Sequence, residues 1–271
     1  MKSAKKNVPD QEQIDHWLKV SRDSFARVEQ NWKNGFYTDR GISPQTVFSG
    51  NAMDYASLGR EQFLNGDSLE QVRDSYRKAG TSVLRAFKII YDPTDEYYDA
   101  QTKSLDAVHE TRFMEGAFYA LIANDYSLAK ELATIFQTHP RGPFMDPEVC
   151  DFCFGLKYTL LDDDQQALSI LKPRLEKYLK KPPKGGYKRN YYTLTTALTG
   201  ILEKDDGQFN EGLEMQLKFY KGQIPSEYKN LSYEFVCDDA TALANLGLHR
   251  GLNLTIENDL IPPGLLIEKP Q

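Results

Sequence analysis

The sequence predicts an all-α protein made of antiparallel helical hairpins, and three observations predict it. Apolar residues recur at three- and four-residue steps along most of the chain, the period of one helix face. Four times such a stretch runs into a short polar turn and a second helix-like stretch follows: at Asn65-Gly66-Asp67, Asn124-Asp125, Asp162-Asp163-Asp164 and Lys204-Asp205-Asp206-Gly207. The last three turns are about 40 residues apart, a spacing that stacked helix pairs produce.

Residues 11–33 predict the first helix, with Ile14, Trp17, Leu18, Ser21, Phe25, Val28 and Trp32 on one face, Asp10 as N-cap and Gly35 as the stop. Residues 36–51, which hold Gly41, Pro44 and Gly50, read as a loop with at most a short helical turn. The first hairpin pairs a helix over 52–65 with one running from Asp67 or Ser68 to Ile90. Gly66 supplies the left-handed stop and Pro93 the end. The second hairpin spans Ser104 to Thr138 and turns at Asn124-Asp125. The third spans Pro147 to Leu179, with Pro173 expected to bend its second helix or mark a restart. The fourth covers 190–221. A last helix over 234–249 is apolar on most sides, which places it in the interior, and Gly251 terminates it. Leu252 to Glu257 alternates like a strand but has no partner segment, so an extended stretch packed on the helices fits equally. The whole reads as one domain over 1–271, with 180–189 as its best internal boundary.

The spacing of the turns is similar to tetratricopeptide-type or HEAT-type stacking, without the roughly 34-residue tetratricopeptide consensus. A repeat-like stack and a compact bundle of about ten helices both satisfy the pattern.

Composition narrows the function classes. A chain of 271 residues with 40% hydrophobic content closes a core without disulfides or metal. No run approaches the ~18 apolar residues of a membrane span. The start, Met1 to Asp10, carries charge with no apolar stretch behind it, and the odd set Cys150, Cys153 and Cys237 suits reduced thiols. Both lead us to expect a cytoplasmic protein. The net charge of −6 argues against a nucleic-acid binder and suits a basic partner.

Motifs that would carry chemistry are weak. Cys150-Asp151-Phe152-Cys153 is a lone C-x-x-C, without the second pair a zinc site needs, and reads as core. His16, His109, His139 and His249 are scattered, and His109-Glu110 lacks the second histidine of a metalloprotease helix because Phe113 stands there. The acidic runs Asp162-Asp163-Asp164, Asp205-Asp206 and Asp238-Asp239 are the types hydrolases use, yet each precedes a helix, where N-capping explains them. Lys180 to Arg189 carries five positive charges and reads as a solvated loop between hairpins. No cofactor, metal or catalytic group is expected.

Two segments stand out as partner-binding surface. One is Tyr91, Asp92, Asp95, Glu96, Tyr97, Tyr98 and Asp99, which puts three tyrosines and four carboxylates in a Pro-containing loop. Tyrosine brings large contact area at low entropic cost, and surrounding acid steers a basic partner. The other is the acidic turn Asp162, Asp163 and Asp164.

The C-terminal third resembles a known family. Thr195–Leu217 (TTALTGILEKDDGQFNEGLEMQL), Cys237–Leu252 (CDDATALANLGLHRGL) and Asn258–Leu266 (NDLIPPGLL) follow one another as in the immunity-protein-49 family of bacterial polymorphic-toxin systems. The match is good over 195–266, loose over 52–90 through Tyr55-Ala56-Ser57-Leu58-Gly59, and one of pattern alone between them. The resemblance implies an all-helical cytoplasmic protein that binds and neutralises a toxin from a neighbouring bacterium, and it transfers no chemical residue. A helical scaffold with endogenous protein partners, and a hydrolase using paired carboxylates, are the alternatives.

Overall fold

The computed structural model describes residues 9–98, 107–137 and 144–268, and among them it is all-α without strands. Its helices are α1 (Gln11–Lys33), α2 (Phe36–Asp39), α3 (Pro44–Asn65), α4 (Leu69–Tyr91), α5 (Glu110–Ile122), α6 (Tyr126–Ile135), α7 (Pro147–Leu160), α8 (Asp164–Lys180), α9 (Gly186–Glu203), α10 (Asp206–Gln223) and α11 (Asp238–His249).

Each hairpin turn closes in the same way. The chain leaves the first helix through one residue in the left-handed region: Gly66 (φ 79°), Asn124 (57°), Asp162 (62°) and Lys204 (59°). The amide after it then reaches back five residues, as Asp67 N to Gln62 O (3.0 Å), Asp125 N to Ala120 O (2.9 Å), Asp163 N to Tyr158 O (2.9 Å) and Asp205 N to Gly200 O (2.9 Å). This bond satisfies a carbonyl the helix end leaves open. In the last three turns an aspartate then caps the next helix: Asp125 accepts from Leu128 N, Asp163 from Gln166 N and Asp205 from Gln208 N. In the first turn Ser68 does this through a full capping box with Gln71.

Several boundaries differ from expectation. α3 begins at Pro44, so 44–51 is helix rather than loop. Proline at the first helical position needs no N–H partner, and Gln45, Val47 and Ser49 are buried. α5 begins at Glu110, and the part of the expected hairpin over 104–106 lies outside the described residues, as does His139. α8 runs unbroken through Pro173. α9 starts at Gly186, within the expected 180–189 loop, and α11 starts at Asp238 after a separate 3₁₀ turn over Ser232–Glu234.

Successive helices pack on one another from α3 to α10, and the first helices of neighbouring hairpins also touch, α3 on α5, α5 on α7 and α7 on α9. α11 then packs against α5, α9 and α10. Ala240, Thr241, Ala242, Leu243, Ala244, Asn245 and Leu246 on it are all buried, in accord with its expected interior place. The fit is close because glycines stand at the crossings. A Cβ on Gly212 would meet Ala197 N at 2.3 Å, and one on Gly247 would meet the Phe209 ring at 2.4 Å. The segment Leu252–Glu257 is extended and held by side chains rather than by a strand partner. Asp206 accepts from Asn253 N (2.9 Å), and Asn210 accepts from Thr255 N (2.8 Å).

Candidate functional site

The loop after α4 is shaped by its own aspartates. Pro93 stops the helix, and Asp92 Oδ1 accepts from both Thr94 N (2.9 Å) and Thr94 Oγ1 (2.7 Å), bonds that hold its pKa below the usual carboxylate range. Asp95 Oδ1 accepts from Tyr97 N (2.9 Å). The two turns aim Asp95 inward, where its side chain is 2% exposed and its other oxygen meets Arg85 Nη1 at 2.9 Å. Glu96, 69% exposed, takes the second Arg85 nitrogen at 2.6 Å.

The rings gather beside this clamp. Tyr97 (36% exposed) lies edge-on to Trp32 (37% exposed) with centroids 5.8 Å apart. Trp32 also touches Phe48 (5.8 Å) and Tyr37 (6.1 Å). The Arg85 guanidinium stands 5.6 Å from the Tyr97 centroid and 5.9 Å from that of Phe48. Sequence reasoning missed Trp32, Tyr37, Phe48 and Arg85 because they come from α1, α2, α3 and α4. Only the fold brings them to the loop. Tyr91 turns the other way, half-buried against Phe87, and burial followed by the Glu110 charge raises its pKa. Tyr98 is half-buried, and Asp99 lies outside the described residues.

The acidic turn 162–164 is elsewhere. Arg77, two turns into α4, bonds Asp125 in the second hairpin's turn (3.2 Å), whereas the 92–98 loop lies about 20 Å further along the same helix. The two predicted segments therefore occupy opposite ends of the hairpins. Asp162 bonds Lys130 (3.0 Å), Asp163 is used as a cap, and Asp164 bonds Arg250 Nη1 (2.6 Å). Arg250 also donates to the Thr159 carbonyl. Of these groups Asp162, Lys130, Thr159 and Arg250 line a cleft of about 270 Å³ that is also lined by His249, stacked on Tyr126 at 3.6 Å. Burial and then the Arg250 charge hold the imidazole pKa below its ordinary value.

The third acidic run corrects the capping expectation. Neither Asp238 nor Asp239 caps α11, whose N-cap is Cys237 with no side-chain bond. Asp238 instead pairs with Arg60, which is 0% exposed, and accepts from the Tyr76 hydroxyl at 2.9 Å. The Arg60 guanidinium lies 3.6 Å over the Tyr233 ring and donates to Ser57 Oγ at 3.0 Å. Asp239 accepts a long bond from Gln216 (3.4 Å), and its pKa is pushed up to about 7 by burial, then by Asp238 and Glu115. A lone arginine among Ala52, Ala56 and Gly59 on α3 was the one sequence signal for this cluster.

The cysteines are core residues, as expected. All three are buried thiols, and burial followed by Glu110 pushes Cys150 up to about 12. Among the described residues no group of three or more His, Cys, Asp or Glu is placed to hold a metal ion, and no helix is long and apolar enough to cross a membrane. No protein-family model matches the chain, and no curated protein and no solved structure matches it.

Proposed function

We propose that this chain is an immunity protein that binds a toxin delivered by a neighbouring bacterium and neutralises it by stoichiometric contact. The carrying observation is the corner where Trp32 and Tyr97 stand partly exposed beside the Arg85 clamp and its exposed carboxylate, Glu96. Large rings fixed by neighbours, surrounded by charge, are what protein-binding hot spots consist of. The resemblance over 195–266 supports the same reading. There Gly212, Gly247 and the buried Asn245 serve packing, so this stretch builds a scaffold and leaves recognition to other surfaces.

The test is co-expression with the product of the neighbouring open reading frame. That product alone should arrest growth, and this chain should restore it in proportion to its own dose while forming a stable complex with the product. A product without toxicity, or protection at far less than one chain per toxin, would remove the proposal.

A second reading, a hydrolase using paired carboxylates, draws on Asp239, because a carboxyl poised near neutrality suits acid–base work. Under that reading Asp239→Asn abolishes protection without loosening the complex, whereas the inhibitor reading keeps protection intact.

A further inference from the structure

We infer that the corner formed by α1, α2, α3 and the 92–98 loop seats an arginine-bearing, otherwise apolar segment of the partner protein, with Trp32 and Tyr97 as the anchoring rings and Glu96 as its carboxylate. This rests on the inhibitor reading above and goes beyond it by naming the partner's chemistry.

Charge selects the occupant. Arg85 is shared by two carboxylates, Asp95 and Glu96, so the clamp carries one net negative charge, and Asp92 adds a second. The neighbouring charges Glu29 and Lys33 pair with each other, as do Lys88 and Glu131, and at the end of α2 the charge of Arg40 is offset by that of Asp39 next to it in the chain, so the excess at the corner is acidic. Glu96 is engaged through Oε1 alone and its side chain is 69% exposed, so its carboxylate has room for a second guanidinium from solvent. A guanidinium placed there bonds the carboxylate and covers the rings of Trp32 and Tyr97, whose faces attract cations. Within the chain Arg40 already shows the mode, with its guanidinium 3.7 Å from the Phe36 centroid.

The corner is preformed. Trp32 is wedged among Tyr37, Phe48 and Tyr97, and Asp95 is fixed by Arg85 and by the Tyr97 amide, so binding orders few new side chains. Apolar residues flanking the arginine complete the contact, because nearly two-fifths of the Trp32 surface is otherwise left in water.

The experiment uses the full chain and the purified product of the neighbouring open reading frame as probe, with the rate constants read by surface plasmon resonance. Trp32→Ala with Tyr97→Ala should weaken binding ~100-fold, mainly through faster dissociation. Glu96→Lys should slow association about tenfold at low salt and little at high salt. Asp162→Lys, at the opposite end, should change neither. Circular dichroism guards against misfolding, and Trp32→Phe, which keeps a ring, should restore part of the affinity. A double-mutant cycle between Glu96→Gln and each exposed arginine of the probe should find one strongly coupled arginine. Should the corner variants bind like the unaltered chain while Asp162→Lys weakens binding, the corner is wrong and the inhibitor reading survives. Should no arginine couple, the partner chemistry is wrong. Should the unaltered chain not bind the probe, both fall together.

Discussion

At the scale of single residues, the molecule rests on a charge that never meets water. Arg60 is held by Asp238, Ser57 and the Tyr233 ring, and Asp238 is held in turn by Tyr76. Burying an ion pair gains little by itself, but removing one partner strands the other in the interior. Arg60→Ala should therefore cost roughly 3–5 kcal/mol. Arg60→Met combined with Asp238→Asn should recover part of that loss, and urea midpoints read both. Equal loss in the single and double variants would show that packing, not charge, fixes the site. Asp239 adds a pH dependence. Its carboxyl keeps its proton up to about pH 7 in the folded chain, against about 4 when unfolded. The folded state thus holds more protons between those values, and stability falls as pH rises from ~4 through ~7, levelling off above. Asp239→Asn should stabilise the protein at pH 8 and leave it unchanged at pH 4. A variant whose stability tracks the parent across that range would contradict the assignment. Apart from the lone Arg60 among small residues on α3, none of this was legible in the sequence. A pair of aspartates ahead of a helix has the form of a cap, and only the fold reveals that one of them answers an arginine 178 positions away.

At the scale of elements, the hairpins were legible because two independent signals coincide at each turn. The apolar period breaks, and an aspartate or serine that caps the next helix follows; Gly66, Asn124 and Asp162 also suit the left-handed place before it, which at the fourth turn is taken by Lys204, a type that seldom adopts it. Where one signal was missing the boundary slipped. The start of α3 lies among Gly41, Pro44 and Gly50, which look like loop until proline is recognised as a first helical residue. The partner-binding corner was half legible, since the loop's tyrosines and acids announce themselves while Trp32 and Phe48 look like ordinary helix-face residues. The helix pairs also depend on contacts that composition hides. A Cβ on Gly200 would stand 2.4 Å from Phe209 N and 2.8 Å from its Cα, backbone that cannot step aside without opening α9 from α10. Gly200→Ala should accordingly destabilise by roughly 3 kcal/mol, against the small gain alanine brings to an exposed helix interior. Gly222, with open space around it, is the control, and there alanine should be neutral or stabilising. Thermal midpoints that move alike in the two variants would refute the close approach.

At the scale of the whole molecule, α11 changes what a stack of hairpins does. In an open repeat array each unit touches only its neighbours, so the ends fray and unfolding spreads unit by unit. Here one helix reaches across the array. Its first residue is tied to α3 through Arg60, its middle is bonded to α5 and the tail through Asn245, and Arg250 at its end joins the turn between α7 and α8. The Lys204 ammonium, from the turn between α9 and α10, donates to the Arg250 carbonyl at 2.8 Å. Every hairpin is thereby coupled to the same element, and local opening of any of them disturbs bonds held by the others. The chain should unfold in urea as one transition, with amides of α3 and α9 exchanging through the same global opening. Arg250→Ala should break that unity. It frees Asp164 and the Thr159 carbonyl while leaving the Arg60 tie intact, so α7 and α8 should exchange ahead of α3 and α4. Hydrogen exchange followed by mass spectrometry at rising urea resolves the two cases. Separate transitions for the two halves of the unaltered chain would mean that α11 is a passenger on the stack rather than its tie.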